Sequence, residues 1–144
     1  MMITVPSLLS QDDLARCREA LEGAEWEDGR VTAGHQATTV KRNLQLPLAS
    51  AAAKTIGDLI LTRLGQCPLY IASVLPLRVL PPRINRHEQG GTYGNHIDNA
   101  LIRMPGGDAY VRTDVSCTVF LNEPDSYEGG ELVIEDSYGE HRVK

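Results

Sequence analysis

The sequence predicts an α+β domain, with helices first and short antiparallel strands after them. Three observations carry this: apolar residues at helical spacing in the first half, period-two alternation in the second, and turn clusters between the alternating runs. At 144 residues the chain is long enough for one domain with a real core and too short for two.

Ser10, with Asp13 three residues on, predicts a helix start with an acid in its first turn. Leu14, Cys17 and Leu21 then fall on one face, and Gly23 is expected to end the helix. The stretch from Trp26 to Pro47 is turn-rich and reads as loop with one or two short strands. From Leu48 to Gly65 the pattern is the strongest helix of the chain, with Ala52, Ile56, Leu59 and Ile60 in one stripe. Gly57 weakens it and Gly65 ends it.

From Pro68 onward "LYIASVLPLRVLPPRINRHE" reads as β-rich, interrupted by Pro76, Pro81 and Pro82, which cannot donate to a sheet ladder. "DVSCTVFLN" (Asp114 to Asn122) is the clearest strand: Val115, Cys117, Val119 and Leu121 alternate with Ser116, Thr118 and Phe120. "ELVIED" predicts another strand, "SYG" a turn, and "EHRVK" the start of a further strand. A β half of this kind closes as a barrel or a sandwich.

Hydrophobic residues make up 42% and the net charge is -5, which places the chain among globular proteins. No basic stripe exists, so nucleic acid is not an expected partner. The N-terminus lacks a basic segment followed by an apolar run, and no stretch has the apolar length of a membrane span. Three cysteines at wide spacing (Cys17, Cys67, Cys117) form neither a zinc pattern nor a disulfide framework, which points to a cytoplasmic location. Each reads as a small buried apolar residue.

The chemistry concentrates in "YGNHIDNA", Tyr93 to Ala100. On a strand, residues two apart share a face, so His96 and Asp98 would project side by side, about 7 Å apart at Cα, with Ile97 turned into packing. Imidazole plus carboxylate suits two neighbouring positions on one metal ion, and a further histidine would make the facial triad of non-haem Fe(II) oxygenases. The preceding "QGGTYG" allows a sharp turn or a close backbone approach. Tyr93 has a hydroxyl to offer the site, and Asn99 an amide to orient the aspartate. The alternative is a surface histidine beside a turn aspartate, and spacing alone leaves both open.

The remaining candidates carry two readings each. His141 sits among charged neighbours and reads as solvated; His87 reads as a turn histidine or a pocket-lining one; His35 lies in a loop. None is assigned as a ligand. Arg103 and Arg112 flank a glycine-rich loop and read as solvated charges, with attraction of an anionic substrate as the alternative. Glu131 reads as an acceptor of backbone hydrogen bonds. Tyr127, Tyr138 and Trp26 read as packing residues.

"YGNHIDNA", then "RTDVSCTVFLNEPDSYEGGELVIEDSYGEHRVK", together with "LARCREALEGAEWEDGRVTAGHQA", resembles the PKHD-type hydroxylases, related to the prolyl hydroxylases. The resemblance covers essentially the whole chain. It implies N-terminal helices packed on a double-stranded β-helix (jelly-roll) core, with residues 1–66 as helical support and 67–144 as a partial jelly roll within a single domain. It implies His96 and Asp98 as the first two Fe(II) ligands, 2-oxoglutarate and dioxygen as co-substrates, L-ascorbate as reductant, hydroxylation of an unidentified substrate, and an association with iron uptake. It also implies further sequence beyond Lys144, carrying a distal histidine ligand and an arginine for 2-oxoglutarate. The expectation is therefore an incomplete jelly roll. Competing expectations are an inactive fragment, a homo-oligomer that completes its barrel with a partner strand, and a cupin-like metal-binding module.

Overall fold

A computed structural model describes residues 2–32, 41–104 and 107–144. Helix α1 spans Gln11–Leu21. Its capping box is reciprocal: Asp13 N–H donates to Ser10 Oγ at 3.1 Å and Ser10 N–H donates to Asp13 Oδ2 at 3.0 Å. Gly23 takes φ +68°, the left-handed stop expected of it. Helix α2, Ala51–Gly65, starts at Ser50, whose Oγ accepts from Ala53 N–H at 3.1 Å.

The two helices meet through apolar and ionic contacts. Cys17 of α1 joins Ala53, Ile56, Ile60 and Leu64 of α2 in the buried core, where Ile56 is 0% exposed. Beside it the buried Asp13 carboxylate accepts two bonds from Arg63, from Nε at 2.8 Å and Nη2 at 2.9 Å. This fork-on-carboxylate geometry holds the Asp13 carboxyl well below the usual range, the Arg63 bond being the largest cause.

The first departure from expectation is helix α3, Pro68–Val74, where the composition reads as β. Pro68 at its first position is pre-set for helical φ, and burial of Tyr70 in the helical core outweighs the β preference of the other side chains. The helix ends at Leu75, which takes φ +46° immediately before Pro76, since a residue preceding proline is driven out of the helical region.

Short antiparallel pairs make up the β structure. Strand β1 (Glu27–Asp28) pairs with β3 (Leu44–Gln45), which pairs with β4 (Asn85–Arg86). Strand β2 (Lys41–Arg42) pairs with β5 (Thr92–Tyr93), with Lys41 opposite Tyr93. Strands β6 (Leu101–Arg103) and β7 (Tyr110–Arg112) form one hairpin; β8 (Leu132–Asp136) and β9 (Gly139–Val143) form another. The last hairpin matches the "ELVIED" and "EHRVK" reading, with the second strand starting one residue earlier.

Among the described residues these sheets have two or three strands and do not close into a barrel. The α+β class holds; among the described residues the small sheets do not by themselves confirm the expected partial jelly roll. The segment Asp114 to Asn122, the clearest strand by pattern, joins no ladder. Its predicted apolar face is covered only at one end: Val119 and Leu121 pack against the helical core and Phe120 between them is half-buried too, while Val115, Ser116, Cys117 and Thr118 are all exposed. Period two marks which side chains could share a face. It does not report whether a neighbour stands alongside to accept the hydrogen bonds. Cys17 is buried as expected, but Cys117 is exposed. No helix among the described residues is long and apolar enough to cross a membrane.

Candidate metal centre

The site begins at the turn before β5. Gly90 takes φ +76°, and Gly91 N–H donates to the Glu88 carbonyl at 2.7 Å. A Cβ on Gly91 would stand 2.8 Å from the Glu88 carbonyl oxygen and 3.1 Å from that of Arg42. The glycines of "QGGTYG" thus supply both a sharp turn and a close backbone approach, and they let β5 lie against β2.

After Tyr93 the chain leaves the strand, so His96 and Asp98 sit on a loop and not on the strand that the two-residue spacing suggests. Ile97 accordingly does not turn inward; it is 96% exposed. Yet the loop brings the two candidate donors together, with His96 Nε2 3.4 Å from Asp98 Oδ1. Their side chains are 27% and 63% exposed, so the pair is open to solvent on the aspartate side.

The other ring nitrogen decides the electronic state. His96 Nδ1 lies 2.8 Å from the Gly94 carbonyl oxygen. A carbonyl only accepts, so Nδ1 carries a proton and donates it. In the neutral ring Nε2 then presents a lone pair towards a carboxylate that also presents lone pairs. The arrangement is complete only with a cation between them, either a proton on Nε2 or a metal ion. Two donors about 2.1 Å from one metal at right angles stand about 3 Å apart, close to the observed separation. The residues present therefore fit two positions of a metal centre.

Neighbouring side chains hold the loop. The Tyr93 and His96 rings stack, with centroids 3.8 Å apart and planes 14° from parallel. Lys41, opposite Tyr93 in the ladder and buried, places Nζ 5.2 Å from the Tyr93 ring centroid. Desolvation, then the charge of Asp98, raises the Tyr93 phenol above its ordinary pKa; desolvation, then the charge of Arg83, lowers that of Lys41. Asn95 Nδ2 donates to Glu135 Oε2 at 3.1 Å and so ties the loop to β8. The Asn99 main-chain carbonyl accepts from the Thr113 hydroxyl, and the Asn99 side chain makes no hydrogen bond to Asp98.

The other histidines do not join the pair. Among the described residues no group of three or more histidine, cysteine, aspartate or glutamate side chains is placed to hold one metal ion. His141 on β9 faces Asp136 instead, Nε2 to Oδ1 3.6 Å. Desolvation and then the charge of Lys41 push the His87 pKa down, which favours its neutral form. His35 lies outside the described residues. Arg103 pairs with Asp108 and Arg112 with Asp114; both arginines lie on strands, at the ends of β6 and β7, and both are exposed, in keeping with solvated charges. A cleft beside β2, bounded by Asp28, Arg30, Arg42, Arg86 and Glu88, does not include His96 or Asp98.

Sequence reasoning missed Lys41, Asn95 and Glu135. Nothing local marks them: the Asn95–Glu135 contact spans 40 residues and Lys41 is set by strand register.

Comparison with known proteins gives relatives over the whole chain. It is 59% identical to a PKHD-type hydroxylase of Delftia acidovorans over 144 residues, covering 100% of this chain and 64% of that protein. Against a PKHD-type hydroxylase of Parvibaculum lavamentivorans the identity is 50%, again over 100% of this chain and 64% of the relative. A PKHD-type hydroxylase of Methylobacterium nodulans is 52% identical, with 63% of its length covered. The chain thus spans less than two thirds of the length of these curated relatives. No protein-family model matches it.

Proposed function

This chain belongs to the PKHD-type hydroxylases, and from that premise we propose that it carries two of the iron ligands, His96 and Asp98, of an Fe(II)- and 2-oxoglutarate-dependent dioxygenase. The observation that carries the proposal is the facing of His96 Nε2 and Asp98 Oδ1 at 3.4 Å while Nδ1 is committed to the Gly94 carbonyl at 2.8 Å.

When bound, the metal supplies dioxygen activation coupled to oxidative decarboxylation of 2-oxoglutarate, and so to hydroxylation of a C–H bond. The rest is work for this chain's own residues. Asp98 contributes an anionic oxygen and His96 a neutral nitrogen, a donor pair suited to a ferrous ion and to an open coordination face. The Gly94 carbonyl keeps the proton on Nδ1 and the Nε2 lone pair available. The Asn95–Glu135 bond restrains the loop between its two anchors, β5 and β6. The third ligand and the 2-oxoglutarate arginine implied by the family resemblance belong to the part of the relatives that this chain does not span. L-ascorbate as reductant, a link to iron uptake and the identity of the hydroxylated substrate belong to the same proposal.

The test is anaerobic titration with Fe(II) and then 2-oxoglutarate, following the visible charge-transfer band of the chelate. It is run on this chain and on a version extended to the relatives' full length. The expected outcome is a saturable band in the extended version that His96→Ala and Asp98→Ala abolish. Metal binding unchanged in His96→Ala would overturn the site assignment.

A further inference from the structure

The Tyr93–His96 stack is closer and flatter than ordinary aromatic pairs, which prefer offset or edge-on arrangements with centroids about 4.5–7 Å apart. At 3.8 Å and 14° the two π faces overlap. Close contact of this kind is held by dispersion and shape when both rings are neutral, and it gains when one ring is drained of electron density, as an imidazole is when a proton or a metal ion sits on its free nitrogen. The phenol ring is itself well anchored: Tyr93 is the last residue of β5, held opposite Lys41 in the ladder, with the Lys41 ammonium near its face.

An imidazole on an exposed loop has freedom about two side-chain torsions, and each wrong rotamer removes Nε2 from the metal. The Gly94 carbonyl contacts one edge of the ring and leaves rotation about that hydrogen bond. A flat ring laid on the imidazole face removes that rotation. We propose that Tyr93 is a positioning residue that acts through its ring face, holding His96 with Nδ1 on the Gly94 carbonyl and Nε2 towards Asp98. Its relevance to the metal rests on the function proposed above; its effect on the imidazole does not.

The test compares Tyr93→Phe, which keeps the face, with Tyr93→Leu, which removes it, both in the 144-residue chain. Two readouts are needed. In metal-free protein at a pH where the imidazole is neutral, nitrogen NMR shifts of His96 report the tautomer. The wild type and Tyr93→Phe are expected to hold the proton on Nδ1, and Tyr93→Leu to show a mixture. In parallel, Co(II) titration followed by its visible absorption is expected to give unchanged affinity for Tyr93→Phe and an affinity roughly tenfold weaker for Tyr93→Leu, the size typical of losing a group that orients a metal ligand. Thermal melts of the metal-free variants separate loss of fold from loss of orientation. An unaltered tautomer in Tyr93→Leu overturns the inference, and so does Tyr93→Phe behaving like Tyr93→Leu, which would assign the effect to the hydroxyl. A tautomer that responds as expected in a protein whose Co(II) binding is indifferent to His96→Ala would retain the positioning role and overturn the metal reading.

Discussion

Two carboxylates illustrate how burial decides the worth of an ion pair. Asp28 is held down to about 2 by its bonds with Arg30, but both side chains are half exposed and water screens the pair. Asp13 makes a similar bidentate contact with Arg63 while buried between α1 and α2 and also capping α1. Its pKa is lower in the folded state than in the unfolded chain. The stability it contributes is therefore present above the ordinary carboxylate range, about pH 4, and is lost as pH falls through that range towards the folded value. Asp13→Asn is expected to lower the melting temperature at pH 7 and to flatten the decline of stability below about pH 4. Melts from pH 7 to pH 2.5 check this; superimposed wild-type and variant curves would mean that the contact adds nothing.

Elements in this chain are short, so single backbone approaches matter. The β2–β5 ladder exists because Gly91 has no Cβ to meet the Glu88 and Arg42 carbonyl oxygens. Gly91→Ala is expected to cost about 2 kcal/mol and, by pushing β5 from β2, to disturb the Tyr93–His96 stack. Denaturant melts measure the first, and the His96 nitrogen shifts the second. The Asn95–Glu135 bond is the other tether of the loop. Both groups are exposed, so Asn95→Ala is expected to change global stability by less than about 0.5 kcal/mol. It is expected to raise amide exchange in the loop from 94 to 100, and hydrogen exchange by mass spectrometry reads that directly.

At the scale of the molecule, the large buried apolar side chains lie mainly on α2, with Cys17, Leu46, Tyr70 and Ile84 around them. Ile56→Ala is expected to cost about 3 kcal/mol, measured by urea unfolding. The β6–β7 and β8–β9 strands contribute no fully buried residue. Amides of α1 and α2 are expected to exchange slowest and those of the β6–β7 and β8–β9 hairpins fastest. The reverse order would place the stable unit in the β half.

What the sequence by itself determined is what depends on neighbours a few residues away. Ser10, Asp13 and Gly23 bound α1, and the Ile56–Ile60 stripe is the core face of α2, because caps and helical periodicity are short-range. The two glycines before Tyr93 announce a tight approach, and "YGNHIDNA" names two metal-capable donors. Only the tertiary structure decided the rest. It made Pro68–Val74 a helix, since burial of Tyr70 outweighs local β preference. It left Asp114 to Asn122 without a ladder, since alternation marks a face and not a partner. It placed His96 and Asp98 on a loop with their donor atoms facing, laid Tyr93 across the imidazole, and joined Asn95 to Glu135. Each of these depends on where a distant segment comes to rest, and no local pattern encodes that position.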